Sequence, residues 1–170
     1  MATIVLVGVP GAGKTTVGKL LAKELGVEFF DSDQVIETKA GKSVSDIFTQ
    51  DGEPTFRKLE HDVIMELLDS SNVVVALGGG SLGNDDTRAK VKDATTVWLV
   101  AGLAQAVDRV GMNRNRPLLL GNVRGQLADL MTAREPLYKE VASIAVDTSK
   151  LIPSEVAAEI VSELKTLESA

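Results

Sequence analysis

The sequence predicts an α/β fold of three layers, with helices on both sides of a parallel sheet, and three observations lead there. Short apolar runs rich in β-branched residues alternate with longer segments of helical period along the 170 residues. The runs are nearly continuous in apolar character, as strands buried on both faces require. A phosphate loop, Gly8-Val9-Pro10-Gly11-Ala12-Gly13-Lys14-Thr15, stands between the first run and the first helical segment. In order, Ile4–Val7 is expected as the first strand and Thr15–Leu25 as the helix that follows the loop. Val27–Phe30 is the second strand, and helices over Ser43–Phe48 and Pro54–Leu68 precede the third, Val73–Leu77. Asp85–Val91 is helical, Thr95–Val100 is the fourth strand, and helices over Leu103–Arg109 and Gln126–Leu137 come before the fifth, Ala142–Val146. Ser154–Leu167 closes the chain as a helix. The repeated βαβ order gives a sheet covered on both faces.

This length suits one domain with a proper core. A net charge of -6 and a pI near 4.9 argue against a surface that tracks nucleic acid, so an anionic ligand must be met by a local cluster of basic side chains. There is no cysteine, which excludes disulfides, thiol nucleophiles and thiolate metal sites. The N-terminus enters a strand directly, and no apolar run approaches the roughly 18 residues of a membrane span. A soluble cytoplasmic protein without a membrane partner is the expectation.

The glycines of the loop let backbone N–H groups turn inward around phosphate oxygens, where a Cβ would obstruct them. Lys14 then reaches the β- and γ-phosphates, the Thr15 hydroxyl can ligate Mg²⁺, and the helix that follows directs its positive dipole end at the same anion. In a parallel α/β sheet ligands sit at the carboxyl ends of the strands. Three further constellations lie at or near such ends.

Asp31-Ser32-Asp33 follows the second strand. It reads either as one carboxylate for the Mg²⁺ shell beside one for a hydroxyl that must lose its proton, or as a helix N-cap provided by Ser32 or Asp33. Leu77-Gly78-Gly79-Gly80-Ser81 follows the third strand, where glycines suit the close approach of a ligand or of another backbone, or a flexible turn. This run occupies the place where many phosphate-loop enzymes carry an aspartate for the metal, which leaves Asp31 as the candidate. Arg57, Arg116 and Arg134 can bind a carboxylate bidentately and offset charge on a transferring phosphoryl group. Glu60 lies three residues after Arg57 and can hold its guanidinium on a helix. The lone His61 is expected at the surface with no role. The irregular stretch Gly111–Gly125, with Arg114, Arg116 and Arg124, reads as a mobile lid.

Asp31-Ser32-Asp33, Phe56-Arg57-Lys58-Leu59-Glu60, Gly78-Gly79-Gly80, Arg116-Pro117-Leu118-Leu119 and Arg134-Glu135-Pro136-Leu137-Tyr138 follow the phosphate loop in one order over nearly the whole chain. In that order they resemble the shikimate kinases, of the nucleoside monophosphate kinase branch of phosphate-loop kinases. The resemblance implies a five-stranded parallel sheet of order 2-3-1-4-5. It also implies transfer of a phosphoryl group from ATP, with Mg²⁺, to the 3-hydroxyl of shikimate in aromatic amino-acid biosynthesis. Carried over by residue, it implies that Gly11, Ala12, Gly13, Lys14, Thr15 and Thr16 bind the nucleotide, with Thr15 and Asp31 at the metal. Asp33 would hold the reacting hydroxyl, and Arg57, Gly79 and Arg134 would bind shikimate. Arg116 would close on the ATP phosphates, and Arg109 and Pro153 would enclose adenine. Lys14, Asp33 and Arg116 are thus the expected catalytic groups, and Phe48, Phe56, Pro117 and Leu118 the expected wall. One kinase domain over residues 1–170 follows, with a substrate-binding helical region at about 31–61 and a lid at about 111–125, acting as a monomer on ATP and shikimate. Leu151, beside Lys150, departs from the arginine that some members carry near adenine, and Leu119–Gln126 leaves the lid length open.

Two other readings compete. A gluconate-type kinase shares the loop and lid arginines, but Arg57 with Arg134 facing one carboxylate, coupled to an aspartate facing vicinal hydroxyls, suits a hydroxylated ring acid. A slow ATP-hydrolysing switch has no use for a carboxylate-directed site.

Overall fold

The computed structural model of the chain describes residues 2–111 and 123–169. Five parallel strands form one sheet in the order β2-β3-β1-β4-β5. They are β1 (Ile4–Val7), β2 (Glu28–Asp31), β3 (Val73–Ala76), β4 (Thr95–Val100) and β5 (Ile144–Asp147). Of the three inner strands, β1 and β3 are buried at every residue, as continuous apolar runs predict. The edges differ. In β5 buried and exposed residues alternate, and β2 is only partly covered, because an edge strand keeps one flank toward water.

Helix α1 (Lys14–Leu25) starts from the phosphate loop and ends at Gly26, whose left-handed backbone donates its N–H to the Ala22 and Lys23 carbonyls. Gly18 lets α1 lie against the Phe29 ring of β2, where a Cβ would overlap the ring. Helix α2 (Ser32–Ala40), absent from the expected elements, begins immediately after β2. The expected helix over Ser43–Phe48 is instead a short α3 (Val44–Asp46) continued by a π turn over Ile47–Asp51. Helix α4 (Glu53–Leu68) carries Pro54 in its first turn, where the missing N–H costs nothing.

After β3, a 3₁₀ turn over Ser81–Gly83 leads into α5 (Asp85–Asp93), capped by the Asn84 side chain on the Thr87 N–H at 3.0 Å. α5 packs against both α4 and α7 (Val123–Val141). α6 (Leu103–Gly111) lies against α7, and α8 (Pro153–Ser169) packs on α1. α7 runs through Pro136, four residues beyond the expected end. Among the described residues no helix is long and apolar enough to cross a membrane.

Candidate active site

The phosphate loop is a local consequence of its glycines. Gly11 and Gly13 adopt φ of 83° and 93°, and a Cβ on Gly11 would lie 2.6 Å from the Ala106 carbonyl oxygen of α6. The loop therefore turns tightly between β1 and α6, and Gly13 opens α1. Lys14 Nζ donates to the carbonyls of Gly8 at 2.6 Å and Val9 at 3.1 Å, which curls the ammonium back over the loop. Arg109, from α6, donates through Nη1 to the Gly11 carbonyl at 2.9 Å.

Two cavities meet at this loop. One, of about 360 Å³, is lined by Gly11, Gly13, Lys14, Thr15, Thr16, Asp31 and Asp33 among others. The other, of about 200 Å³, lies between Ala12, Arg109, Leu151 and Pro153. Arg109 and Pro153 thus share one apolar cleft, and Leu151 stands in its wall.

Thr15 Oγ1 donates to Asp31 Oδ2 at 2.7 Å, joining the first turn of α1 to the end of β2. Asp31 Oδ1 accepts the N–H groups of Asp33 at 2.9 Å and Gln34 at 3.3 Å. The N-cap of α2 is therefore Asp31, not Ser32 or Asp33. The cap geometry leaves one face of the Asp31 carboxylate on the Thr15 hydroxyl and carries Asp33 into the first helical turn, on the wall of the larger cavity. Among the described residues no three acidic or histidine side chains gather as a metal cage. A hydroxyl with one carboxylate is the donor set that suits Mg²⁺ held mainly by phosphates and water.

A third cavity, of about 440 Å³, is lined by Arg57, Glu60, Gly79, Gly80, Arg134 and Tyr138 among others. Gly79 borders this cavity and the phosphate-end cavity alike. Arg57 Nη1 donates to Glu60 Oε1 at 2.8 Å, and its Nε lies 3.5 Å from Glu53. The guanidinium also sits 5.3 Å above the Phe56 ring, which stacks on Phe48 with centroids 4.7 Å apart. The expected restraint of Arg57 by Glu60 is present. Burial pushes the Glu60 carboxyl above its ordinary value, against the opposing pull of Arg57. His61 borders the same cavity, between Asp62 at 3.4 Å and Asp86 at 3.8 Å.

Several contacts at the glycine run go beyond the sequence expectations, in which Ser32 is only a candidate helix cap. Ser32, fully buried, accepts the Gly78 N–H at 3.0 Å, and Ser81 Oγ donates to the Gly78 carbonyl at 2.8 Å. For Ser81, directly after the glycine run, the flanking hydroxyl was the available signal, since such side chains fasten local backbone; Ser32, 46 positions earlier, gave none. Tyr138 donates to the Gly79 carbonyl at 3.4 Å and packs on Trp98. Burial raises the Tyr138 phenol to about 12, which keeps it a donor at any working pH. Arg116, Arg114, Pro117, Leu118 and most of the proposed lid lie outside the described residues.

A family profile described as shikimate kinase matches residues 10–165. A shikimate kinase of Thermobifida fusca is 51% identical over 160 residues, 94% of this chain and 93% of that protein. One of Mycobacterium tuberculosis is 44% identical over 162 residues, 95% and 92% of the two chains. Among solved structures, shikimate kinase from Acinetobacter baumannii in complex with shikimate superposes with a TM-score of 0.95 at 38% identity, covering 98% of this chain and 94% of that one. A gluconokinase from Sinorhizobium meliloti shares the fold, at a TM-score of 0.65 and 22% identity over 98% of this chain and 93% of that one. A profile that spans nearly the whole chain, and relatives above 40% identity over almost all of it, decide between the competing readings: the chain belongs to the shikimate kinase family.

Proposed function

We propose that the described residues divide the family reaction, ATP-dependent phosphorylation of shikimate at its 3-hydroxyl, between two adjoining cavities that share Gly79. That shared wall is the observation that carries the assignment, since it puts an arginine-lined acceptor site beside the phosphate loop. Gly11, Ala12, Gly13, Lys14, Thr15 and Thr16 cradle the phosphates, and Arg109 and Pro153 close on adenine from either side of one cleft. Arg57 and Arg134 face the shikimate carboxylate, whose planar shape suits guanidinium forks. Asp33 accepts a hydrogen bond from the 3-hydroxyl. Its carboxylate takes up the proton as the new bond to the γ-phosphorus forms and the bond to the bridging oxygen of ADP breaks.

Thr15 and Asp31 are the residues that would hold Mg²⁺, which when bound neutralises charge on the phosphate oxygens. Lys14 adds its ammonium to the same oxygens, and transfer then needs mainly in-line placement. By the resemblance, Arg116 adds a further cation from a lid at about 111–125, and residues 31–61 form the shikimate-binding region. The acidic net charge supports a protein that leaves nucleic acid alone, and we further propose that it works as a cytoplasmic monomer.

Measuring ADP release by the purified protein with Mg²⁺ and ATP, with and without shikimate, tests the assignment. Release should depend on shikimate; equal release without it, or with gluconate in its place, would overturn the reading.

A further inference from the structure

The three consecutive glycines after β3 are not crowded by backbone. A Cβ placed on Gly78 would lie 2.7 Å from Asp33 Oδ1 and 3.2 Å from Glu60 Oε2. On Gly79 it would lie 2.7 Å from Arg134 Nη1, with Pro10 Cδ next at 3.4 Å. On Gly80 it would lie 2.6 and 2.8 Å from the two terminal nitrogens of Arg57. Each glycine in turn therefore makes room for charged side chains of the site: Gly78 for Asp33 and, less closely, Glu60, Gly79 for Arg134, and Gly80 for Arg57. None of the three has a positive φ, and Gly80 sits at φ -100°, so alanine is acceptable to the backbone at all of them. Conformational freedom does not account for the run, whereas close passage of side chains does.

We propose that Gly78-Gly79-Gly80 acts as a gauge that sets, tooth by tooth, the positions of Asp33, Arg134 and Arg57, and so fixes the span between the acceptor's reacting hydroxyl and its carboxylate. The run is itself held in place. Its first residue is fastened at N–H by Ser32 and at C=O by Ser81, and its second by the Tyr138 hydroxyl on the Gly79 carbonyl. A fixed backbone facing flexible side-chain ends means that an added methyl moves the side chain and not the sheet. Moving Arg57 breaks its contacts to Glu60 and Glu53, and moving Asp33 shifts the carboxylate on the phosphate side. An acceptor must then present its hydroxyl and its carboxylate at the separation the run sets; shorter or longer hydroxy acids meet only one end of the gauge. The gauge acts on the residues named in the proposed function and depends on that assignment.

Three single variants separate the teeth. Gly78→Ala should lower kcat about tenfold or more with little change in the shikimate KM, because it displaces the carboxylate at the reacting oxygen. Gly79→Ala and Gly80→Ala should raise the shikimate KM about tenfold and leave the ATP KM within about twofold. Melting temperatures should stay close to that of the parent, since the methyls meet side chains and not backbone. A double-mutant cycle gives the decisive reading. In an Arg57→Ala background, Gly80→Ala should cost almost nothing further in directly measured shikimate affinity, because the atoms it would strike are gone. A Gly80→Ala penalty of the same size in both backgrounds, or loss of both substrates together in all three variants, would overturn the gauge. Failure of the underlying assignment looks different: Arg57→Ala alone would then leave shikimate affinity unchanged.

Discussion

The two halves of the proposed site, one for nucleotide and one for acceptor, are built by opposite means. The phosphate end is one continuous stretch from β1 to α1, and its working parts are backbone N–H groups, a lysine and a helix terminus. The acceptor end collects residues from α4, from the turn after β3 and from α7, with Asp33 of α2 on the wall of the adjoining cavity. Its geometry depends on pairs such as Arg57 with Glu60 and Tyr138 with Gly79, not on a single turn. A site made of backbone changes little when one neighbour changes, while an assembled one can lose one substrate contact at a time.

Substitutions can sharpen or break that contrast. The largest effect belongs to the contiguous half: Lys14→Ala should lower the rate of ADP formation by about a thousandfold or more while the fold survives, because the lost charge acts on the transferring group. Near-normal turnover would remove Lys14 from the chemistry. Next comes Asp33→Asn, which should lose about a hundredfold of kcat. Its melting temperature should fall by no more than about 3 °C, since Asp31 and not Asp33 caps α2. Unchanged turnover would reduce Asp33 to a surface carboxylate beside the loop.

In the assembled half, Arg57→Lys and Arg134→Lys keep the charge but lose the planar fork. Each should raise the shikimate KM about tenfold and the ATP KM by less than about twofold. Equal changes for both substrates would mean that the halves are not separate. The smallest effect concerns pH. Because the Glu60 carboxyl is raised by burial, it takes up its proton at a higher pH than an ordinary glutamate as the solution is acidified, and Arg57 is then released. The shikimate KM should begin to climb above the usual carboxylate range, by a few-fold, and Glu60→Gln should flatten that limb while raising KM at neutral pH. An identical acid limb in the glutamine variant would place the titrating group elsewhere.

How much of this could be read from the sequence follows the same division. The strands appeared within one or two residues of their positions because apolar, β-branched runs carry a strong local signal. The phosphate loop was equally clear, since its whole chemistry is contiguous. α2 was missed because its nine residues bury only Ser32 and Ile36, too few to mark a helical period. The expected end of α7 near Leu137 followed the helix-breaking habit of proline, yet packing against α5 and α6 carries the helix through Pro136 to Val141. At the acceptor end the arginines and the Glu60 support of Arg57 were legible, but the supports of the glycine run were not. Ser32 reaches Gly78 across 46 positions of sequence, and Tyr138 reaches Gly79 across 59, so no local pattern could have announced either contact.

The strand order also dictates when a reaction centre can exist during synthesis. β1 and β2 are made first, yet they are not neighbours: β3 must enter between them before either has its partner on that side. The loop after β1 and the aspartates after β2 are thus delivered early and lie idle, and the segment that follows β3 arrives last between them, like a keystone. A ribosome-bound chain that ends before Val73 holds both flanks and no sheet to join them. Protection of the phosphate loop by ATP against proteolysis should therefore appear only in nascent chains long enough to expose β3 and β4, and its appearance in a fragment ending at Ser70 would contradict this order of assembly.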